Sequence, residues 1–286
     1  VEKTLETNFK GKKITVVRNA PLNDPIEFSI MGYNISLRRH EASLIDVTYE
    51  YAAVNREEEL FTEPFSVKKS ESKPSKTIRV AMVGNPNSGK TTLFNFASRS
   101  HEHVGNYAGV TVDSKTSTFT FNDTQIELTD LPGTYSISAY SPEELYVRNF
   151  ILNEKPDVVI NVLDAANLER NLFLTTQLID MKVKVVVALN MFDELFRHHD
   201  RFDYDNLGKM LGIPFVPTIG ARGRGIHKLL RKVIEVYSGK EPHQRSVQIN
   251  YGCEPEAAIN KIIPLLPDQE PALKNMSRRF VALRLL

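Results

Sequence analysis

The sequence is short of several things, and each shortage narrows what it can be. Its 286 residues include a single cysteine, Cys253. Neither an internal disulfide nor a multi-cysteine zinc site can be built, which fits a reducing compartment. No excess of charge exists in either direction, with 36 Lys and Arg against 35 Asp and Glu, so no global field draws the chain to nucleic acid or anionic lipid. No apolar run approaches the roughly 18 residues that span a bilayer. The densest runs, residues 158–163 and 183–190, read as buried strands. A charged-then-apolar secretion signal is missing, as is an initiator Met, and the chain is expected to be a piece of something longer. One more absence concerns chemistry. In "DLPGTYS", residues 130–136, Thr134 stands where Ras-like GTPases carry a water-orienting Gln.

What is present falls into four regions: 1–65, 66–77, 78–240 and 241–286. Residues 66–77, "SVKKSESKPSKT", are polar and aperiodic, the composition of a solvated linker. Ahead of them, residues 12–18, 26–30, 33–38 and 43–49 are short β-branched and aromatic segments separated by turn formers, the pattern of a small β-barrel. Behind them, strands alternate with helices, which predicts a mostly parallel sheet covered on both faces. Ser141-Pro142-Glu143-Glu144 reads as a capping box with Pro at the first helical position, and Gly212 and Gly239 stand where helices should end. Past Gly239 the strands stop. Residues 254–266 and 277–286 read as helices, the second cut short.

"GNPNSGKT", residues 84–91, matches G-x-x-x-x-G-K-[ST] between a predicted strand and a predicted helix. Gly84 and Gly89 let the backbone curl, so that the N–H groups from Asn85, Pro86's neighbours, Asn87 and Ser88 onward point at phosphates. Lys90 adds charge for the β- and γ-phosphates, Thr91 supplies a hydroxyl for Mg²⁺, and Thr92 follows in the first helical turn. Lys90 and Thr91 are expected to face ligand, so that replacing them spares the fold. Asp130 ends the next strand and can hold Mg²⁺ through a water, with Leu131 and Pro132 leading to Gly133, whose N–H suits the γ-phosphate. In residues 104–113, "VGNYAGVTVD", Thr111 is the candidate switch ligand of Mg²⁺, preceded by Gly109 and Val110. "NMFD" supplies Asn190, Met191 and Asp193, and the Asp193 carboxylate accepts two N–H bonds that guanine offers and adenine does not. Gly220, Ala221 and Arg222 open "GARGRG", whose backbone can meet the guanine oxygen. Met191 stands where Lys is frequent, which suggests weaker affinity than the tightest GTPases show. Four such elements in this order make GTP and GDP the expected ligands. The pairs His101, His103 and His198, His199 read as solvated loop residues.

The motifs "VGNPNSGKTTLFN", "HVGNYAGVTVD", "DLPGTYSI", "DAANLERNL", "NMFDE" and "ARGRGI" together resemble the G domain of FeoB, the bacterial ferrous iron transporter family. Residues 19–47 resemble FeoA, a small SH3-like barrel, and the final helices are similar to the start of the FeoB helical domain. The implied architecture is α/β, a P-loop Ras-like GTPase domain preceded by an SH3-like barrel and followed by an incomplete helical domain. The implied activity is slow GTP hydrolysis with Mg²⁺, by a module at the cytoplasmic face of the bacterial inner membrane. The transmembrane portion of the same protein and a FeoA-like domain docking on the G domain are its expected partners, with no nucleic acid. The resemblance also implies that Asn87 lends its side-chain carbonyl to K⁺, with carbonyls near residues 106–108 completing the shell. Lys90, Thr111, Gly133 and Asn87 then form the hydrolytic set. A GTPase acting on RNA or ribosome assembly is the alternative.

Overall fold

A computed structural model describes residues 14–19, 26–30, 33–38, 61, 76–98, 114–138, 140–197, 202–267 and 276–286. The chain divides into two units, Val1–Arg56 and Glu57–Leu286.

In the first unit, β1 (Ile14–Asn19), β2 (Ile26–Ile30) and β3 (Tyr33–Leu37) form an antiparallel meander. Ile30 pairs with Tyr33 and Phe28 with Ile35, and the β1–β2 register slips between Val16 and Arg18. Closure into a barrel, and the strand expected at residues 43–49, lie outside the described residues.

The second unit is built on a six-stranded sheet of β4 (Thr77–Gly84), β5 (Lys115–Phe121), β6 (Thr124–Asp130), β7 (Val158–Asp164), β8 (Val185–Asn190) and β9 (Phe215–Pro217). Their order is β5-β6-β4-β7-β8-β9, with only β5 antiparallel to its neighbour. Period-two alternation sends successive residues to opposite faces. Ile78, Val80 and Met82 of β4 join Val186 and Ala188 of β8 in one core, and Ala81 and Val83 join Val185, Val187 and Leu189 in the other. Both cores need cover, so both sets of side chains are mostly apolar and the central strands read as nearly continuous hydrophobic runs, interrupted in β7 by Asn161, whose buried amide donates to Thr175 Oγ1 at 2.8 Å.

The first face is covered by α1 (Lys90–Ser98) and α6 (Ile226–Tyr237), and the second by α2 (Pro142–Asn153) and α3 (Leu168–Asp180). Helix α6 buries Ile226, Leu229, Leu230, Val233 and Val236, a stripe at helical spacing. Leu174 of α3 is fully buried, and truncating it to Ala would cost about 2–5 kcal/mol. Between β8 and β9 lie α4 (Phe192–Arg197) and α5 (Tyr204–Leu211), the latter ending on Gly212 in the left-handed region at φ 69°. The sequence pattern assigns no element to the residues of helix α4.

Two expectations need correction. The helix expected over residues 254–266 is α7 (Cys253–Ile262) followed by a 3₁₀ turn (Ile263–Leu265). Pro264 has no N–H to continue the α-helical ladder, so the chain tightens there. The capping box on α2 is only half formed. Ser141 Oγ accepts from the Glu144 N–H at 3.2 Å, but the Glu144 carboxylate turns to the Tyr140 N–H at 3.0 Å and to the Ser136 hydroxyl at 2.7 Å. It thereby ties the loop before α2 to the helix. The last helix, α8 (Arg278–Leu285), is capped by Ser277 and buries Phe280 in the core it shares with α2 and α3.

Candidate functional site

Strand register decides what stands together. Met82 is paired with Asp130 and Gly84 with Val162, and Asp164 is paired with Asn190, so the carboxyl ends of β4, β6, β7 and β8 lie side by side at one edge of the sheet. Ligands of open α/β sheets bind at that edge.

The loop between β4 and α1 begins at Gly84, where a Cβ would come within 2.4 Å of the Val162 carbonyl oxygen. It ends at Gly89, at φ 80°, where a Cβ would meet the Asn190 amide at 2.2 Å. No other residue fits either place. Within the loop the Ser88 N–H donates to the Asn85 carbonyl at 3.2 Å. Asn85 and Ser88 are buried, whereas Pro86 and Asn87 are exposed and Asn87 adopts a left-handed backbone at φ 66°, which Asn tolerates. Thr91 and Thr92 are exposed in the first turn of α1.

Lys90 and Thr91 do not face open space. The Lys90 ammonium pairs with Asp130 Oδ1, both side chains being buried, and Thr91 Oγ1 donates to Asp130 Oδ2 at 3.0 Å. The expected phosphate ligand and two of the three expected Mg²⁺ ligands are thus bound to one another. The loop that follows Asp130 is threaded past the phosphate loop. The Leu131 N–H donates to the Met82 carbonyl and the Thr134 N–H to the Gly84 carbonyl, each at 3.0 Å, and Gly133 lies so near Pro86 that a Cβ would approach its Cα to 3.1 Å.

At the far end of the edge, Asn190 is the joint between the phosphate loop and the base loops. Its Nδ2 donates to the Ser88 carbonyl at 2.8 Å, and its Oδ1 accepts from the Gly220 N–H at 2.8 Å and from the Thr218 hydroxyl at 3.3 Å. All three partners are side-chain contacts of a residue that is itself buried. Met191, at φ 56°, leans toward Gly89, and Asp193 is half-buried in the first turn of α4. Gly220, Ala221 and Arg222 form a 3₁₀ turn closed by the pair Ile219 and Arg224, whose N–H groups and carbonyls exchange hydrogen bonds at 3.1 and 3.2 Å. Ala221 and Arg222 are exposed.

The structure therefore brings together residues 84–92, 130–133, 190–193 and 220–222. Gly109, Val110 and Thr111, the expected carbonyls at 106–108, and His101, His103, His198 and His199 lie outside the described residues. Thr134 is buried, its hydroxyl donating to the Ser136 carbonyl at 2.5 Å.

Sequence reasoning missed the residues that hold the 131–138 loop from behind. The Ile137 N–H donates to Gln177 Oε1 at 2.8 Å, the Arg170 guanidinium stacks 4.0 Å from the centre of the Tyr135 ring, and Arg284 of α8 donates to the Ser138 carbonyl. Only Glu144 carried a signal, through the capping box. A second polar cluster joins α3 to α7 and α8: Tyr251 donates to Asp180 at 2.5 Å, and Arg279 holds Glu256 through both terminal nitrogens at 2.9 and 2.6 Å. Those bonds depress the Glu256 carboxyl to about 2, while burial pushes Asp180 upward.

Residues 78–233 match the family model for ferrous iron transport protein B, and residues 9–49 match that of the FeoA domain. The chain is 44% identical to the Fe(2+) transport protein A/Fe(2+) transporter FeoB fusion protein of Porphyromonas gingivalis over its whole length, which is 37% of that protein. It is 39% identical to the Fe(2+) transporter FeoB of Escherichia coli K12 over 74% of this chain and 27% of that one. Among solved structures it resembles the cytosolic domain of the T. maritima FeoB in a GDP form, with 36% identity and a TM-score of 0.67 over 73% of this chain and 81% of that one. The FeoB G domain of Methanococcus jannaschii matches 57% of this chain and 99% of its own, with 36% identity and a TM-score of 0.51.

Proposed function

This chain belongs to the ferrous iron transport protein B family, and from that premise we propose that it is the guanine nucleotide binding and GTP-hydrolysing module of a bacterial ferrous iron transporter. The observation that carries the reading is Asn190, whose amide ties the phosphate loop at Ser88 to the base loop at Gly220. Such a joint sets a fixed span between a phosphate cradle and a base reader. It supports a nucleotide rather than a simple phosphate as the ligand. Asp193 is assigned to the guanine N–H groups and the Ala221 backbone to the guanine oxygen.

The donor set fits Mg²⁺, since Thr91 Oγ1 and Asp130 Oδ2 are hard oxygens 3.0 Å apart and Mg²⁺ draws its remaining ligands from phosphate and water. When bound, the metal neutralises charge on the transferring phosphoryl group. Lys90 then turns from Asp130 to the β- and γ-phosphates, and the Gly133 N–H takes the γ-phosphate. Thr134 orients no water, because its hydroxyl is spent on Ser136. In place of an arginine finger we assign Asn87, whose exposed, left-handed position leaves its side-chain carbonyl free to hold K⁺. Slow hydrolysis stimulated by K⁺ follows.

The Ser138 carbonyl held by Arg284 supports the transmission of nucleotide state from the 131–138 loop into α8, and from there toward the membrane portion of the full-length protein. No helix among the described residues is long and apolar enough to cross a membrane. We place the module at the cytoplasmic face and give the FeoA-like unit a part in tuning nucleotide exchange. No observation favours the RNA-directed alternative. Competitive titration with GDP, GTP, ADP and ATP tests the reading: both guanine nucleotides should bind at least 10²-fold tighter than their adenine counterparts, the scale set by losing charge-assisted hydrogen bonds to the base. Equal affinities would refute it.

A further inference from the structure

We infer that the side chain of Asn85 is a positioning residue, holding the loop after Asp130 in the arrangement it takes when GTP is bound. The inference rests on the guanine nucleotide reading above and concerns a side chain that the backbone role of the phosphate loop does not use.

Asn85 is 3% exposed, and neither its Oδ1 nor its Nδ2 has a hydrogen-bond partner among the described residues. Buried amides are almost always paired, because an unpaired one forfeits its water without compensation. An orphan of this kind in a phosphate-binding loop calls for a partner. The chain on either side of Asn85 identifies that partner. The Gly84 carbonyl accepts the Thr134 N–H at 3.0 Å, and Pro86 is the residue that a Cβ on Gly133 would touch at 3.1 Å. Asn85 is therefore bracketed by two contacts to the loop 131–134. In that loop the N–H groups of Leu131 and Thr134 are paired, whereas the main chain of Pro132 and Gly133 makes no hydrogen bond to any described residue. An unpaired amide thus lies between two residues that contact the loop holding the unpaired stretch of main chain.

The nucleotide supplies the reason to move. Here Lys90 and Thr91 are both engaged with Asp130, which anchors the loop at its root. With nucleotide and metal bound, Lys90 and Thr91 would turn from Asp130 to these ligands, the Asp130 carboxylate would be released, and the Gly133 N–H would move toward the γ-phosphate. The Asn85 amide then donates to a carbonyl of the Pro132-Gly133 segment and fixes the new position. GDP, without a γ-phosphate to pull Gly133, gives Asn85 no such partner. The side chain thus contributes to the difference between the two nucleotide states rather than to binding of both.

The sequence contains no tryptophan, so Tyr135→Trp places a sole emitter on this loop, and a Trp ring keeps the stacking on Arg170. In that background we would measure affinity for GDP and for a non-hydrolysable GTP analogue, with Asn85, Asn85→Ala and Asn85→Leu. The Leu variant fills the buried space and answers if the Ala variant does not fold. The preference for the analogue over GDP should fall roughly 3- to 10-fold in both variants, the worth of one buried hydrogen bond. The difference in emission between the two bound states should shrink with it. An unchanged preference and unchanged emission difference, whether the two affinities stay put or fall in parallel, would overturn the inference and leave the nucleotide reading standing. A parent protein that binds neither nucleotide would overturn both.

Discussion

Thr91 Oγ1 donates to Asp130 Oδ2 at 3.0 Å while the Lys90 ammonium holds the other oxygen of the same carboxylate. Three of the groups assigned to Mg²⁺ and phosphate thus satisfy one another. The expectation that Lys90 and Thr91 face only ligand is therefore wrong in one respect. Lys90→Ala strips the partner from a carboxylate that is 6% exposed, and breaking a buried pair on one side costs about 3–5 kcal/mol. The thermal midpoint of the nucleotide-free protein should fall clearly in Lys90→Ala and little in Thr91→Ala, with Mg²⁺-dependent nucleotide binding weakened in both. A Lys90→Ala protein that melts with the parent would show the pair to be idle.

Asp193→Asn should move preference from GTP toward XTP. The amide presents a donor where guanine also presents one, and xanthine offers a carbonyl at that place. Loss of hydrogen bonds to a charged group scales to roughly 10- to 100-fold in affinity. Competition between the two nucleotides for the variant reads it, and undiminished preference for GTP would remove Asp193 from the base site.

Thr134→Ala should slow hydrolysis by less than about 10-fold, well below the 10² or more that a positioned acid or base contributes. It should nevertheless lower stability by about 1–3 kcal/mol, because the Ser136 carbonyl loses its partner in a buried setting. A rate loss with no change in melting would reverse this assignment.

The α7–α8 junction should carry an acid-sensitive contribution to stability. Arg279 depresses the Glu256 carboxyl from 4.5 to about 2. A depressed carboxylate stabilises the fold above its unfolded value and loses that contribution as pH falls through the folded one. Unfolding between pH 4.5 and 2 should steepen in the parent and flatten in Glu256→Gln. Asp180, raised by burial, works in the opposite sense, so Glu256→Gln must be compared at fixed Asp180.

The sheet was legible because its cause is local. Residues 158–163 and 185–190 are buried at every position and apolar except at Asn161 and Asn190, as a strand covered on both faces requires, and the motifs at Gly84, Asp130 and Asn190 stand at strand ends by register. The left-handed ends at Gly212 and Gly239 were legible for the same reason. Helix α4 was not, since its six residues carry too little periodicity and begin inside the base motif. The supports of the 131–138 loop were hidden too. Gln177 and Arg284 lie 40 and 146 residues from the backbone groups they hold, and nothing in a linear sequence marks such pairs. The Lys90–Asp130 pair shows a different limit: each residue was found, but their attachment to each other needed coordinates.

The most direct test of the account is GTP turnover by this chain with Mg²⁺, in K⁺ and in Na⁺ at equal ionic strength. The account predicts release of phosphate that is faster in K⁺, a difference that disappears in Asn87→Ala while nucleotide binding is largely kept. Turnover no higher than that of Lys90→Ala in either salt would contradict the GTPase assignment, and equal rates in the two salts would contradict the role given to Asn87.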